Sequence, residues 1–200
     1  MPEFQSHQLL DELARDTRTL AETVEKEFSR MTSKDLNRQP APDRWSIAQC
    51  LDHLNSYGHY YIPLLENAVL KGEQQQLAAP PRFRSGWLGN YFANAMKPKA
   101  DGSIGLKSKA IKAHTPASNL DGRAVLTLFL EQQQAILDLL DRAKRVNIQT
   151  LRVPISIARF IRLSVGDTFR FLIAHQQRHV LQARRAASEL NLQSTISVES

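Results

Sequence analysis

Apolar residues recur every three to four positions along most of this chain, the period of a helix with one buried face. Between residues 3 and 31, Phe4, Leu9, Leu10, Leu13, Leu20, Val24 and Phe28 keep that period while charged residues fill the gaps. No proline or glycine interrupts the stretch after Pro2, so the pattern predicts one long amphipathic helix. Residues 32–44 contain Pro40 and Pro42 and read as a loop. Ser46, with Gln49 three residues later, has the spacing of a capping box and opens a second helix. Ile47, Cys50, Leu51, Leu54, Tyr57, Tyr61 and Leu65 form its apolar stripe, which reaches about residue 71. Pro63 lies inside it and predicts a kink or break near Tyr60.

The pattern changes over residues 72–117, where Pro80, Pro81 and Pro98 together with Gly86, Gly89, Gly102 and Gly105 break the periodicity. Within that stretch only Trp87, Leu88, Tyr91, Phe92 and Met96 are spaced as a short helix. The segment is too long for a bare connection and reads as an insertion or crossover, mobile over 102–117. A third helix is expected from a Ser118 cap, with Asp121 at the box distance, to about Arg145. Residues 146–163 form a connection that includes the basic, apolar piece Ile157-Ala158-Arg159-Phe160-Ile161-Arg162. Ser164 and Asp167 then start a last helix with Val165, Phe169, Leu172, Ile173, Val180 and Ala183 along its core stripe. The fold class expected is all-α: a four-helix bundle with a long insertion or crossover between helices two and three. One domain over 1–192 and a frayed polar tail over 193–200 are expected. No fixed repeat supports a solenoid.

Composition alters this picture little. Apolar residues make up 42% of the chain, enough for a core, and no apolar run is long enough to span a bilayer. The first residues lack a basic and an apolar signal region, so a cytoplasmic protein is expected. The single cysteine, Cys50, excludes an internal disulfide. The formal charge is +6 and is concentrated in one place: residues 72–117 hold seven basic residues against two acids, a net +5. Basic residues interleaved with Trp87, Tyr91 and Phe92 could touch phosphates and bases. No helix-turn-helix, zinc-finger or RNA-binding signature accompanies them, so nucleic acid ranks as a minor alternative.

The chemistry points elsewhere. His175 and His179 are four residues apart on a helix, so their rings share one face and can converge on one metal ion. Gln176 stands where a zinc protease would carry its glutamate base, which removes that reading. His53 lies on the inward face of the second helix, either as a core histidine or as a third ligand. Three neutral imidazoles would leave a coordination position open, as catalytic sites do. Cys50 and Tyr57 lie about one turn on either side of His53, and Gln182 follows His179 by three. Core packing is the simpler reading of the first two, and a solvated amide that of the third. Arg178, Arg184 and Arg185 read either as a solvated basic face or as a seat for a substrate carboxylate. His7, His59 and His114 have no partner pattern and read as surface residues.

Two stretches, Trp45-Ser46-Ile47-Ala48-Gln49-Cys50-Leu51-Asp52-His53-Leu54 and Gly166–Gln182 with its His-x3-His pair, resemble the DinB-like (DNA-damage-inducible B, or YfiT-type) four-helix metal-binding proteins. The resemblance covers most of the chain and departs from the family over 72–117, which is longer than the family's crossover. It implies that His53, His175 and His179 bind a divalent metal, with Zn or Ni suited to imidazole ligands. The family includes thiol-dependent S-transferases and an isomerase that uses a low-molecular-weight thiol. The resemblance therefore implies a metal-dependent enzyme of thiol-linked transfer or detoxification acting on a small-molecule substrate. A non-catalytic metal- or small-ligand-binding module is the alternative, and anion or nucleic-acid binding through the insertion a second. Homodimerisation through an apolar helix face is a further expectation.

Overall fold

The computed structural model describes residues 1–99, 102–103 and 111–192. Residues 104–110 of the mobile segment expected over 102–117, and the whole of the tail expected over 193–200, lie outside the described residues. Four long helices form the body: α1 (Ser6–Phe28), α3 (Ile47–Gln74), α5 (Gly122–Ala143) and α6 (Val165–Glu189). They pack in a ring, with α5 between α1 and α3 and α6 closing the circle between α3 and α1. Leu10, Val24 and Phe28 of α1, Leu51, Leu54 and Leu65 of α3, Phe129 and Ile136 of α5, and Phe169 and Leu172 of α6 fill the centre. In α1, α3 and α6 their helical spacing is the one read from the sequence, and burial of all four stripes drives the assembly.

The caps explain where two of the helices begin. Ser46 Oγ accepts from the Gln49 amide at 3.1 Å, and Gln49 Oε1 accepts from the Ser46 amide at 3.0 Å. This reciprocal box fixes the first turn of α3, six residues before His53. Ser164 Oγ likewise accepts from the Asp167 amide at 3.1 Å and starts α6. The start expected at Ser118 is displaced. Asp121 itself caps α5, its carboxylate accepting from the Arg123 and Ala124 amides at 3.1 and 3.2 Å. A carboxylate at the cap satisfies two amides that the serine would have left to water. Pro63 does not divide α3, which is one element from Ile47 to Gln74.

Several short elements depart from the expected pattern. A five-residue helix, α2 (Ser33–Asn37), occupies the predicted loop and ends before Pro40, capped by Thr32. Residues 3–5 are not the start of α1 but a strand, β1 (Glu3–Gln5), paired antiparallel with β2 (Arg82–Arg84), Phe4 opposite Phe83. The connection after α5 is a hairpin of β3 (Arg152–Ile155) and β4 (Ala158–Ser164), with Val153 opposite Leu163. The expected short helix in the crossover is present as α4 (Trp87–Met96), and it packs on α6.

One buried cluster holds the crossover against the bundle. Asp167, 1% exposed, accepts from the Gly86 amide and from Ser164 Oγ, each at 2.8 Å, and from Ser85 Oγ. Arg170 donates to Asp167 at 3.2 Å, to Ser85 Oγ at 2.6 Å and to Asn90 Oδ1 at 3.1 Å. Its guanidinium also lies 4.7 Å from the centre of the Phe4 ring. Gly89 permits the close approach: a Cβ there would stand 2.4 Å from Asp167 Cβ. The consequence is that α4 lies along α6 and forms one wall above the histidines.

Candidate metal centre

Helix α3 carries His53 about two turns after its Ser46 cap, and α6 carries His175 and His179 on the face turned toward it. The three rings meet, with centroids 5.1 Å apart for His53 and His175, 4.5 Å for His53 and His179 and 4.6 Å for His175 and His179. One nitrogen from each lies within 4.8 Å of the others. All three are buried, at 3, 4 and 9% exposure. Among the described residues this is the one group of histidine, cysteine or acidic side chains placed to hold an ion.

The outer nitrogens decide which way the lone pairs point. His53 Nδ1 lies 2.6 Å from the backbone carbonyl oxygen of His114. A carbonyl can only accept, so Nδ1 carries the proton and Nε2 carries the lone pair. His179 Nδ1 lies 3.0 Å from Gln182 Oε1, which accepts in the same way and frees the second Nε2. His53 Nε2 and His175 Nε2 face each other at 3.2 Å. His175 Nδ1 is buried without a hydrogen-bond partner. On His53 and His179 an inward lone pair is backed by an outward N–H, the donor arrangement that a divalent ion requires, and His175 Nε2 stands beside them as the third nitrogen. The residues present therefore fit such an ion.

Burial reinforces this chemistry by keeping the rings neutral. It pushes His53 down to about 4 and His179 down to about 3, and places His175 well below its ordinary value. Neighbouring rings and the Arg178 charge add repulsion against the imidazolium forms of His175 and His179. Neutral imidazole is the form that binds metal.

Aromatic rings enclose the cluster. Trp45 lies 4.9 Å from His53 and 5.7 Å from His179, Tyr57 4.4 Å from His175, and Phe171 stacks on His175 at 5.8 Å. The histidines open into a cleft of about 1380 Å³ between the bundle, α4 and the β3–β4 hairpin. Tyr91, Phe92 and Met96 of α4 and Ile155 and Leu163 of the hairpin line it.

The other candidates separate clearly. Cys50 is fully buried, its thiol pushed up by burial, and it does not join the histidine group. Tyr57 lines the cleft, and burial pushes its phenol up to about 12, with Tyr61 adding to the shift. Gln182 is oriented on His179 rather than toward solvent alone. Arg178 is buried in the cleft, while Arg184 and Arg185 are exposed. His7 and His59 are exposed as expected. His114 is a correction: it is 6% exposed, its ring lies 4.0 Å from Tyr57, and Ser56 Oγ is 2.9 Å from its Nδ1. The crossover returns over α3 there, in a 3-10 turn at Lys112–His114, and so buries a residue with no periodic partners. Trp45 was legible only as part of a helix start, because contact with two rings depends on how α3 and α6 are placed.

The sequence model described as the DinB superfamily matches residues 10–183. Among solved structures, the chain is similar to YfiT from Bacillus subtilis, described as a probable metal-dependent hydrolase with an unusual four-helix bundle topology. That likeness has a TM-score of 0.53 at 11% identity and covers 91% of this chain and 87% of YfiT. No curated protein matches. The family match spans well over half of the chain, which belongs to the DinB superfamily.

Proposed function

We propose that this member of the DinB superfamily holds one divalent ion, Zn or Ni, on His53, His175 and His179 and is a metal-dependent enzyme acting on a small molecule. The observation that carries this reading is the pair of acceptors, the His114 carbonyl and Gln182 Oε1, which turn the Nε2 lone pairs of His53 and His179 inward beside the cleft. Imidazole ligation does not discriminate between the two metals.

Thiol-linked transfer is the leading reaction. A coordinated divalent ion lowers the pKa of a bound thiol or water and places it beside an electrophile. The chain's own part is to hold three neutral imidazoles, screen them from water with Trp45, Tyr57 and Phe171, and leave one side open to the cleft. YfiT's description makes hydrolysis the second reading. The residues favour the thiol over water, because Gln176 replaces a glutamate base and Asp43 is the one acid among the described residues lining the cleft. Metal-loaded protein should form adducts of 1-chloro-2,4-dinitrobenzene with a low-molecular-weight thiol, and the metal-free protein should not. Ester hydrolysis of 4-nitrophenyl acetate without adduct formation would favour the hydrolase, and neither activity would favour a binding module.

A further inference from the structure

Two stretches of the chain contain no acidic residue. Residues 74–100 hold Arg82, Arg84, Lys97 and Lys99, and residues 146–166 hold Arg152, Arg159 and Arg162, with no aspartate or glutamate in either. The fold sets the two side by side: the Arg84 amide donates to Gln149 Oε1 at 2.9 Å, and α4 packs against β4. All seven basic side chains are exposed. Arg82 pairs with Glu3, and the other six have no acidic partner among the described residues.

The same stretches leave apolar surface in water. Of the seven large apolar side chains exposed among the described residues, four lie here: Phe160, at 87% exposure, with Trp87, Tyr91 and Ile157. The β3–β4 hairpin concentrates them. Val153, Ile155 and Leu163 face the bundle and are buried, so strand alternation turns Arg152, Phe160 and Arg162 outward. Ile157 stands in the turn and Arg159 follows it by two. On neighbouring α4, Trp87 and Tyr91 stack one turn apart, their ring centres 6.4 Å from each other.

Charge and shape together select the partner. Unpaired cations with no acid beside them attract an anionic surface. At a lipid surface, apolar side chains enter the boundary between headgroups and acyl chains while guanidinium groups stay with the phosphates. Tryptophan and tyrosine suit that boundary, being apolar over the ring and polar at one end. A second copy of this chain fits less well, because a two-fold contact sets the basic face against itself. A nucleic acid would engage the cations and rings but leave Ile157 without a base to stack on.

We infer that the β3–β4 hairpin docks this protein on an anionic lipid bilayer, with Ile157 and Phe160 entering the interface and Arg152, Arg159 and Arg162 on the lipid phosphates. The metal reading has no part in this.

Co-sedimentation of the full chain with vesicles tests it. Vesicles of equal parts phosphatidylcholine and phosphatidylglycerol should bind the protein at least about tenfold more tightly than phosphatidylcholine alone, and added salt should release it. Replacing Arg159→Gln and Arg162→Gln together should weaken binding about tenfold or more, and the same pair changed to lysine should keep most of it. Ile157→Ser with Phe160→Ser should weaken it about tenfold with the melting temperature unchanged. If that double variant melts early, Phe160→Ala alone carries the same test. A Phe160→Trp variant should still bind, and its added emission should shift to the blue on the anionic vesicles. No binding to anionic vesicles, equal binding to both kinds, binding indifferent to Ile157 and Phe160, or no blue shift each overturns the inference. If vesicles are ignored while the same variants abolish binding of a single-stranded oligonucleotide, or turn a dimer into monomers in sedimentation velocity, the face belongs to nucleic acid or to a second copy instead.

Discussion

Gln182 shows how much one amide decides at this site. Its oxygen, 3.0 Å from His179 Nδ1, selects the tautomer that turns Nε2 inward. Gln182→Ala should therefore lower metal affinity about 10- to 100-fold with little change in stability, measured by competition with a chromogenic chelator. Unchanged affinity would mean that the amide has no hold on the ring. His53→Ala should abolish metal binding while the helical circular dichroism persists; retained binding would make His53 a core residue. At this scale the sequence was informative where a side chain does the work. His175, His179 and His53 could be singled out by helical spacing, and Gln182 by its place one turn on. The partner of His53 could not, because His114 contributes a backbone carbonyl, which any residue would supply.

At the scale of elements, the capping box at Ser46 and the serine cap at Ser164 were readable, since a cap is a local arrangement of a few consecutive residues. The strands were not. β1 and β2 have three residues each, and Phe4 fits the apolar period of α1 as well as it fits a strand opposite Phe83. β3 contains Pro154, which argues against a strand unless it lies at an edge, as it does in a two-stranded hairpin. The attachment of α4 depends on contacts distant in sequence, Ser85 and Gly89 against Asp167. Gly89→Ala should cost about 1–3 kcal/mol by forcing α4 from α6. Asp167→Ala, which leaves Arg170 without its buried carboxylate, should cost about 3–5 kcal/mol. Urea unfolding measures both, and losses indistinguishable from zero would show that the cluster does not hold α4.

At the scale of the whole molecule, the bundle was legible because four long stripes at helical period leave few other ways to bury them. The crossover was not, since its course depends on Phe83, Ala93 and His114 finding buried places on the bundle. The same burial fixes the response to acid. The histidine pKa values lie below 6.5 in the folded protein, so the unfolded chain binds more protons once the pH falls below that value. The metal-free protein should keep its full stability above about pH 6.5 and lose it progressively toward pH 4. Asp11 and Glu73, held below the usual carboxylate range by Lys144 and Arg142, extend the loss to still lower pH. Replacing His53, His175 and His179 by glutamine should flatten the thermal-denaturation curve between about pH 6.5 and 4. A slope unaltered by that replacement would place the acid sensitivity elsewhere.

The central claim is that three histidines from two helices hold one ion. Elemental analysis of the protein, purified without an affinity tag and then reconstituted with Zn or Ni and desalted, tests this most directly. The account predicts about one ion per chain, lost in a His53→Ala variant that remains folded. A folded protein that carries no metal as purified and retains none after reconstitution would contradict it.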